Sequence, residues 1–288
     1  MLWTLITPVA RPIKLETMGN KKLAIDSSIW LYQFQNAMRD REGRGLTNAH
    51  ILGFLRRISK LLYYGIKPVF VFDGGAPVLK KQTIVEHLYF SSIFKLDDMR
   101  HQVDAEVNKL KDQRVKDRRD ADDVNLQMSK DIQSMLRLFG IPYVISPMEA
   151  EAQCAELLKK GLVDGIITDD SDVFLFGGTR VYKNMFNQNK FVECYLMNDL
   201  EKELGLSRQR LIQLAYLLGS DYTEGLAGVG PVTAMEILSE FDDEHLTVAG
   251  LDSLINFKRW WMKVQVGKDS EQESGTAFRK KFVSAFFA

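Results

Sequence analysis

The chain has little cysteine. Its 288 residues include two, Cys154 and Cys194, and their spacing is not that of a ligand pair. This argues against a disulfide framework or a structural zinc site and fits a reducing compartment. Long apolar runs are also missing, and none has the length to span a bilayer. The opening Met1-Leu2-Trp3-Thr4-Leu5-Ile6 lacks a basic lead and meets Pro8 before a signal-peptide core develops. These absences read as a soluble intracellular protein. An excess of either charge is absent too, since 38 Lys and Arg balance 38 Asp and Glu. That balance neither predicts nor excludes a nucleic-acid partner, because distribution matters more than the sum. Neither a Gly-rich Walker loop nor a Gly-x-Ser-x-Gly elbow occurs, so NTPase and acyl-transfer chemistry have no support. No internal repeat is found.

What the sequence does have is carboxylate at the ends of apolar runs. Residues 163–168, apolar except for Asp164 and Gly165, lead into Asp169, Asp170 and Asp172. Leu23-Ala24-Ile25 ends in Asp26, and Val69-Phe70-Val71-Phe72 ends in Asp73. Such short apolar runs read as buried strands. Acids crowded at strand ends repel one another and resist burial unless something positive joins them. Three such strands predict one acidic cluster at the carboxyl edge of a parallel sheet, where open α/β sheets place their ligands. A hydrophobic content of 45% and a charged content of 26% are ordinary for a globular protein. The length allows one large domain or two modest ones.

Between the strands a helical period appears. Ile29, Trp30, Phe34, Ala37 and Met38 recur at helical spacing after Asp26. Residues 39–45 read as a polar loop and Thr47 as a cap. Ile51, Phe54, Leu55, Ile58, Leu61 and Leu62 then form the apolar face of a helix that stops at Gly65. This strand–helix–helix–strand order predicts a crossover between parallel strands. Residues 85–119 change character, and their charged part reads as a solvated helix or a connection. Val124, Met128, Ile132, Met135 and Phe139 mark another helical face, followed by a strand at Tyr143–Ile145. Ser146, Pro147 and Glu149 suit N-cap, N1 and N3 of the next helix. Residues 179–183 and 191–195 read as strands joined by Asn187-Gln188-Asn189. Helices are predicted at 199–204, 208–218, 231–241 and 251–266.

The candidate metal ligands are Asp26, Asp73, Glu149, Glu151, Asp170, Asp172 and Asp221. None is His or Cys, so oxygen ligation selects Mg²⁺ or Mn²⁺ over zinc. Their number exceeds the needs of one ion and suggests two, about 3.5–4 Å apart. Singly, each acid has a plainer reading. Asp26 and Asp73 suit turns after strands. Glu149 suits a capping box. Glu149 and Glu151 are two apart and share a site only if it lies off a helix's first turn. Asp169 reads as a support for the loop, and Asp221 stands past a helix C-terminus, where an acid is mildly unfavourable. As a set, the acids favour metal. Gly228-Val229-Gly230-Pro231 opens a helix with backbone N–H groups that suit phosphate, although a packing corner would read the same. Lys80 and Lys81 suit a phosphate near the metals, while a solvated face is the plainer reading of that pair and of Arg56, Arg57 and Lys60.

At these residues the chain resembles the structure-specific nuclease family that includes the flap endonucleases. Within it, the nearest resemblance is to the xeroderma pigmentosum group G type of nucleotide excision repair. The resemblance rests on Ala24-Ile-Asp-Ser-Ser-Ile-Trp30, Lys67-Pro-Val-Phe-Val-Phe-Asp-Gly74 and Glu149-Ala-Glu-Ala-Gln-Cys154. It continues through Thr168-Asp-Asp-Ser-Asp-Val-Phe-Leu-Phe-Gly177, Asn184-Met-Phe-Asn-Gln-Asn-Lys-Phe-Val192 and Leu217-Leu-Gly-Ser-Asp-Tyr-Thr-Glu-Gly225.

The resemblance implies an α/β fold: a central twisted, mainly parallel sheet flanked by helices, a PIN-like nuclease core, then a helix–two-turn–helix DNA-binding element. It implies two-metal hydrolysis of a DNA phosphodiester where single and double strands meet. By motif position, Asp26, Asp73, Glu149 and Glu151 would serve one Mg²⁺ site, and Asp170, Asp172 and Asp221 the second, with Mn²⁺ as a substitute. Lys80 would approach the scissile phosphate and act with Asp73 and Glu149 in catalysis, and Lys81 would meet DNA beside it. Gly228, Val229 and Gly230 would hold duplex backbone, with a K⁺ ion at that turn. The implied partners are bubble, splayed-arm or flap DNA, and repair proteins in the full-length protein. The implied state is a nuclear monomer with no membrane. The implied divisions are a nuclease region at 1–84, a shortened spacer or helical gateway at 85–119, a second nuclease region with the helix–two-turn–helix at 120–245, and a shortened helical tail at 246–288. Three departures stand out: no glycine follows Met1, the family's gateway Arg falls near His87, and the spacer is brief. The expected activity is 3′ incision of a repair bubble. Alternatives are a 5′-flap endonuclease and a junction-binding scaffold with impaired incision.

Overall fold

In a computed structural model of the chain, the described residues are 2–37, 48–75, 77, 80, 126–187, 191–226, 228–241 and 252–265. They belong to two compact units, one of residues 9–203 and one joining 1–8 to 204–288.

The larger unit is built on a seven-stranded sheet in the order β1-β7-β6-β5-β2-β3-β4. The strands are β1 (Arg11–Ile13), β2 (Lys22–Asp26), β3 (Lys67–Phe72), β4 (Tyr143–Ile145), β5 (Gly165–Ile167), β6 (Arg180–Lys183) and β7 (Val192–Leu196). Strands β6, β5, β2, β3 and β4 run parallel. Strands β7 and β1 add an antiparallel margin. The sheet is therefore mainly parallel, as the apolar runs predict. From β2 the chain winds outward to β3 and β4 on one side, then returns to β5 and β6 on the other. The winding reverses between β2 and β5, which is where open sheets form their ligand crevice.

Helices cover both faces. Helices α2 (Ser27–Ala37) and α3 (Ala49–Tyr63) pack on β3. With α4 (residues 126–138) they enclose a core that includes Trp30, Phe34, Phe54, Ile58, Phe70, Ile132 and Leu136. Trp30 meets Phe54 and Phe70 edge-on, with ring centroids 5.3 and 5.5 Å apart. Such pairs add about 1 kcal/mol each beyond the area they bury. Helix α5 (Ala150–Lys159) packs on β2, β3 and β5. Side chains alternate along a strand. Leu23 and Ile25 enter the first core, so Ala24 and Asp26 take the α5 side. Helix α6 (Met197–Leu204) follows β7 directly.

The smaller unit contains α1 (Leu2–Ile6), α7 (Arg208–Leu218), α8 (Pro231–Glu240) and α9 (Asp252–Gln265), with α1, α7 and α9 against α8. Ser207 caps α7 by accepting the Arg210 N–H at 3.3 Å. The following turn needs glycine. Gly219 and Gly225 have φ of 88° and 75°, and a Cβ on Gly219 would come within 2.8 Å of Glu224 O. Among the described residues no helix is long and apolar enough to cross a membrane.

Several local expectations are corrected. Strand β1 was not anticipated, and it contains Pro12, which the edge of a sheet tolerates. Leu62 and Phe139 are 48% and 53% exposed; Leu61 is in the core as expected, and Leu136 takes the core position in place of Phe139. There is no capping box at Ser146. Its hydroxyl donates to Met148 O at 2.8 Å, and α5 begins only at Ala150 with Glu149 as its N-cap. Met38, residues 39–45, Thr47, residues 85–119, Val124 and residues 266–288 lie outside the described residues.

Candidate metal centre

The acids are placed by the ends of β2, β3 and β5 and by the start of α5. Asp26 closes β2 at 2% exposure, and its Oδ1 accepts the Ser28 N–H at 2.9 Å. Asp73 follows β3, two residues beyond Val71, which is paired with Asp26. The Asp73 Oδ1 accepts the Ala150 N–H at 2.7 Å. A carboxylate from one strand thus satisfies a donor that the first turn of α5 cannot satisfy itself, at the helix's positive end. Glu149 stands at the N-cap of α5 and Glu151 in its first turn, the one arrangement that lets acids two apart share a site. Glu149 is buried, and its Oε1 accepts from Lys80 Nζ at 2.6 Å. Beyond β5, Asp170 N donates to Thr168 Oγ1 at 3.0 Å, and Asp170 Oδ1 accepts the Asp172 N–H at 2.9 Å.

Gly74 makes this packing possible. Its N–H donates to Met148 O at 2.7 Å, and a Cβ there would run into Ser146 O and the Pro147 backbone. The strand end bearing Asp73 and the segment leading to Glu149 therefore lie backbone to backbone.

The electrostatics tie the acids together. Burial pushes Asp26 from 3.8 up to about 7, helped by the fields of Asp73 and Asp170 and opposed by backbone N–H bonds. Burial pushes Glu151 from 4.5 up to about 10, helped by Asp26, Asp170 and Glu149 and opposed by Lys80. The Cys154 thiol is raised by burial and by Asp26, Glu151 and Asp73. Asp26, Asp73, Glu149, Glu151 and Asp170 thus share one neighbourhood with a deficit of positive charge among the described residues. Such a deficit is what a bound cation relieves.

The donors are all carboxylate oxygens, which fits Mg²⁺ or Mn²⁺. The hydroxyl of Ser27, buried beside Asp26, has no hydrogen-bond partner among the described residues. Among those residues, no three His, Cys, Asp or Glu side chains are set closely enough to hold an ion as they stand. Asp26, Asp73, Glu149, Glu151 and Asp170 nevertheless share one edge. Asp172 begins a short 3₁₀ turn next to Asp170. Asp221 is exposed in the smaller unit, in the turn after α7. Gly228, with φ of 77°, buried Val229 and the α8 N-cap Gly230 are in that unit too. Lys81 lies outside the described residues.

One part of the neighbourhood escaped the sequence reading. A cavity of about 510 Å³ is lined by Trp30, Gln33, Arg57, Asp169, Asn184 and Phe186, among others. Arg57 does not lie on a solvated face. Its guanidinium carbon is 4.8 Å from the Trp30 ring centre, 4.5 Å from Phe34 and 4.8 Å from Phe186. Burial lowers it from 12.5 to about 10, and Asp169 opposes that shift. The available signal was the pair Trp30 and Phe34, four apart on α2, which read only as core.

An open α/β sheet with acids at its winding reversal defines a class of ligand-binding cores. Comparison with known proteins narrows the class. The XPG N-terminal domain matches residues 1–89, and the XPG I-region matches residues 140–221. DNA repair protein rad13 of Schizosaccharomyces pombe is 54% identical over 175 residues, which are 61% of this chain and 15% of that protein. Flap endonuclease 1 of Methanococcoides burtonii is 34% identical over 251 residues, covering 80% of this chain and 72% of that protein. A solved structure of the catalytic core of Rad2 in complex with DNA substrate superposes with a TM-score of 0.80 at 46% identity, over 99% of this chain and 79% of that one. The chain belongs to the XPG and flap endonuclease family of nucleases. It spans about 15% of the length of rad13, the curated relative with 54% identity.

Proposed function

We propose that the chain is the nuclease core of a Mg²⁺-dependent, structure-specific DNA endonuclease that makes the 3′ incision of nucleotide excision repair. The observation that carries this is the shared, charge-deficient edge of Asp26, Asp73, Glu149, Glu151 and Asp170, with Lys80 on Glu149. The names of its relatives agree, since rad13 is a DNA repair protein and the Rad2 core was solved with DNA. Asp26, Asp73, Glu149 and Glu151 would hold one ion, and Asp170 and Asp172 would serve the other. Two Mg²⁺ ions, or Mn²⁺ in their place, would lower the pKa of the attacking water and offset charge on the phosphodiester.

The chain's own groups would do the rest. The Ser28 N–H fixes the Asp26 carboxylate, and the Ala150 N–H fixes that of Asp73. Lys80 Nζ, now donating to Glu149, would turn to a phosphate oxygen and stabilise the charge that grows there. Lys81 and the backbone N–H groups of Gly228–Gly230 would hold the DNA backbone, with K⁺ at the latter turn. The substrate would be a bubble or splayed-arm junction. The whole protein would act as a nuclear monomer that contacts other repair proteins.

The test is cleavage of labelled bubble and 5′-flap DNA, with Mg²⁺ or EDTA, by the parent and by Asp73→Ala. Mg²⁺-dependent cutting on the 3′ side of the bubble should fall at least about 100-fold in the variant. Preferential flap cutting would favour the activity named for the flap endonuclease relatives. Tight junction binding without cutting would sink the catalytic reading and leave a scaffold.

A further inference from the structure

The chemistry above leaves Arg57 unused. A guanidinium among three aromatic rings gains cation–π attraction and covers apolar surface, which alone would be a packing role. Its hydrogen bond goes further. Arg57 Nη2 donates to Gln33 Oε1 at 2.8 Å. Gln33 Nε2 then donates to Asp169 Oδ2 at 3.0 Å. The other oxygen, Asp169 Oδ1, accepts the Asn184 N–H at 3.0 Å. Asn184 holds a left-handed φ of 58°, and its Nδ2 donates to Glu193 Oε1 at 2.7 Å. Donation runs in one sense from Arg57 through Gln33 to Asp169, so each bond polarises the next.

Asp169 stands between Thr168 and Asp170. Its two oxygens are tied outward to α2 and to the turn after β6. The next residue is held within the loop itself, through Thr168 Oγ1 and the Asp172 N–H. The loop is thus anchored to α2 and to the turn after β6 at the residue preceding Asp170. We propose that the Arg57–Gln33–Asp169 chain is a positioning relay, which sets the 168–172 loop so that Asp170 and Asp172 can receive a metal ion. The relay rests on the metal-dependent reading above. Gln33 is its critical link, because an amide accepts from Arg57 and donates to Asp169 at once. Glutamate would still accept from Arg57 but would face Asp169 with like charge. Leucine would do neither.

The experiment measures Mn²⁺ affinity without DNA, by electron paramagnetic resonance of the free ion, alongside kcat and KM on junction DNA with Mg²⁺. The full chain is compared as parent, Gln33→Leu, Gln33→Glu, and Gln33→Glu combined with Asp169→Asn. In the double variant the carboxylate at 33 can accept from Arg57 and from the amide at 169, so the relay is rebuilt with its second bond reversed. Each single variant should bind Mn²⁺ roughly 10-fold more weakly, as happens when groups behind metal ligands are changed. The DNA KM should stay within about twofold of the parent, and the double variant should recover most of the Mn²⁺ affinity. A packing role alone would shift melting temperature without this pattern. Single variants that bind Mn²⁺ like the parent, or a double variant with no recovery, would overturn the relay while leaving the nuclease reading intact. A parent that neither binds Mn²⁺ nor cuts DNA would overturn that reading first and the relay with it.

Discussion

The two edges of the large sheet handle charge in opposite ways. At the amino edge Arg11, Lys22 and Arg180 begin β1, β2 and β6, and the nearby acids each meet a donor. The Asp164 carboxylate accepts the backbone N–H of Lys22 at 2.7 Å, and its backbone carbonyl accepts from Arg180 Nη1 at 3.3 Å. Asp199 accepts from Arg11 at 2.6 Å. At the carboxyl edge Lys80 reaches Glu149 and Glu151, and burial, helped by neighbouring acids, pushes Asp26 and Glu151 toward protonation. Charge that is matched holds a fold together. Charge left in deficit weakens it, and the proposed metal ions would offset that deficit.

The largest test of that contrast is Asp26→Asn. It should cut DNA cleavage at least about 100-fold, since it removes a proposed metal ligand at the centre of the cluster. In EDTA at pH 7.5 it should also raise stability, on the order of 2 kcal/mol, because a buried, repelled carboxylate is gone. Nuclease assay and thermal melting read the two effects. A variant less stable than the parent in EDTA would break the comparison at its root.

Gly74→Ala comes next. The added methyl meets Ser146 O and the Pro147 backbone, which are main chain and cannot turn aside. Either Asp73 or the segment before Glu149 must shift. Overpacking of this kind costs about 1–3 kcal/mol, and a displaced ligand costs roughly 10-fold or more in rate. Melting and cleavage should fall together. Unchanged cleavage would show that the backbone contact does not set the site.

A smaller effect is the response to pH. The folded-state pKa of Asp26 is raised from 3.8 to about 7, and that of Glu151 from 4.5 to about 10. The native chain then keeps protons that the unfolded chain releases. The corresponding stability is complete below about pH 4 and is lost as pH rises through about 7 for Asp26, and on toward 10 for Glu151. In EDTA the melting temperature should fall between pH 5 and 8 by roughly 4 °C or more. Saturating Mg²⁺ should abolish the fall by holding the ionised forms. A melting temperature that climbs across that window in EDTA would contradict the charge deficit.

The carboxyl edge was legible in the sequence because strands buried on both faces leave near-continuous apolar runs. The acid that ends each run then stands out, as Asp26 and Asp73 do. Strand β1 was not legible, since three residues including Pro12 carry no period. Ser146 misled because a hydroxyl can donate as readily as accept. Its partner, Met148 O, is fixed by the close approach of Gly74, which no local pattern reveals. The Arg57 cage was hidden for a similar reason. Its rings come from α2 and from Phe186, far away in the chain, and an arginine on a helix resembles a solvated one until those rings surround it.

The smallest effects belong to the amino edge, and they should be asymmetric. Asp199 is 4% exposed and Arg11 is 56% exposed, and Asp199 Oδ2 already lacks a hydrogen-bond partner among the described residues. Arg11→Met would leave a buried carboxylate without its counter-charge, at about 2 kcal/mol. Asp199→Asn would leave only a half-solvated guanidinium unpaired, at under about 1 kcal/mol. Both should keep cleavage within about twofold of the parent, because this edge lies across the sheet from the acids. Denaturant unfolding and the nuclease assay decide it. If Arg11→Met removes cleavage while the fold survives, the amino edge is more than scaffold, and the division of labour between the two edges fails.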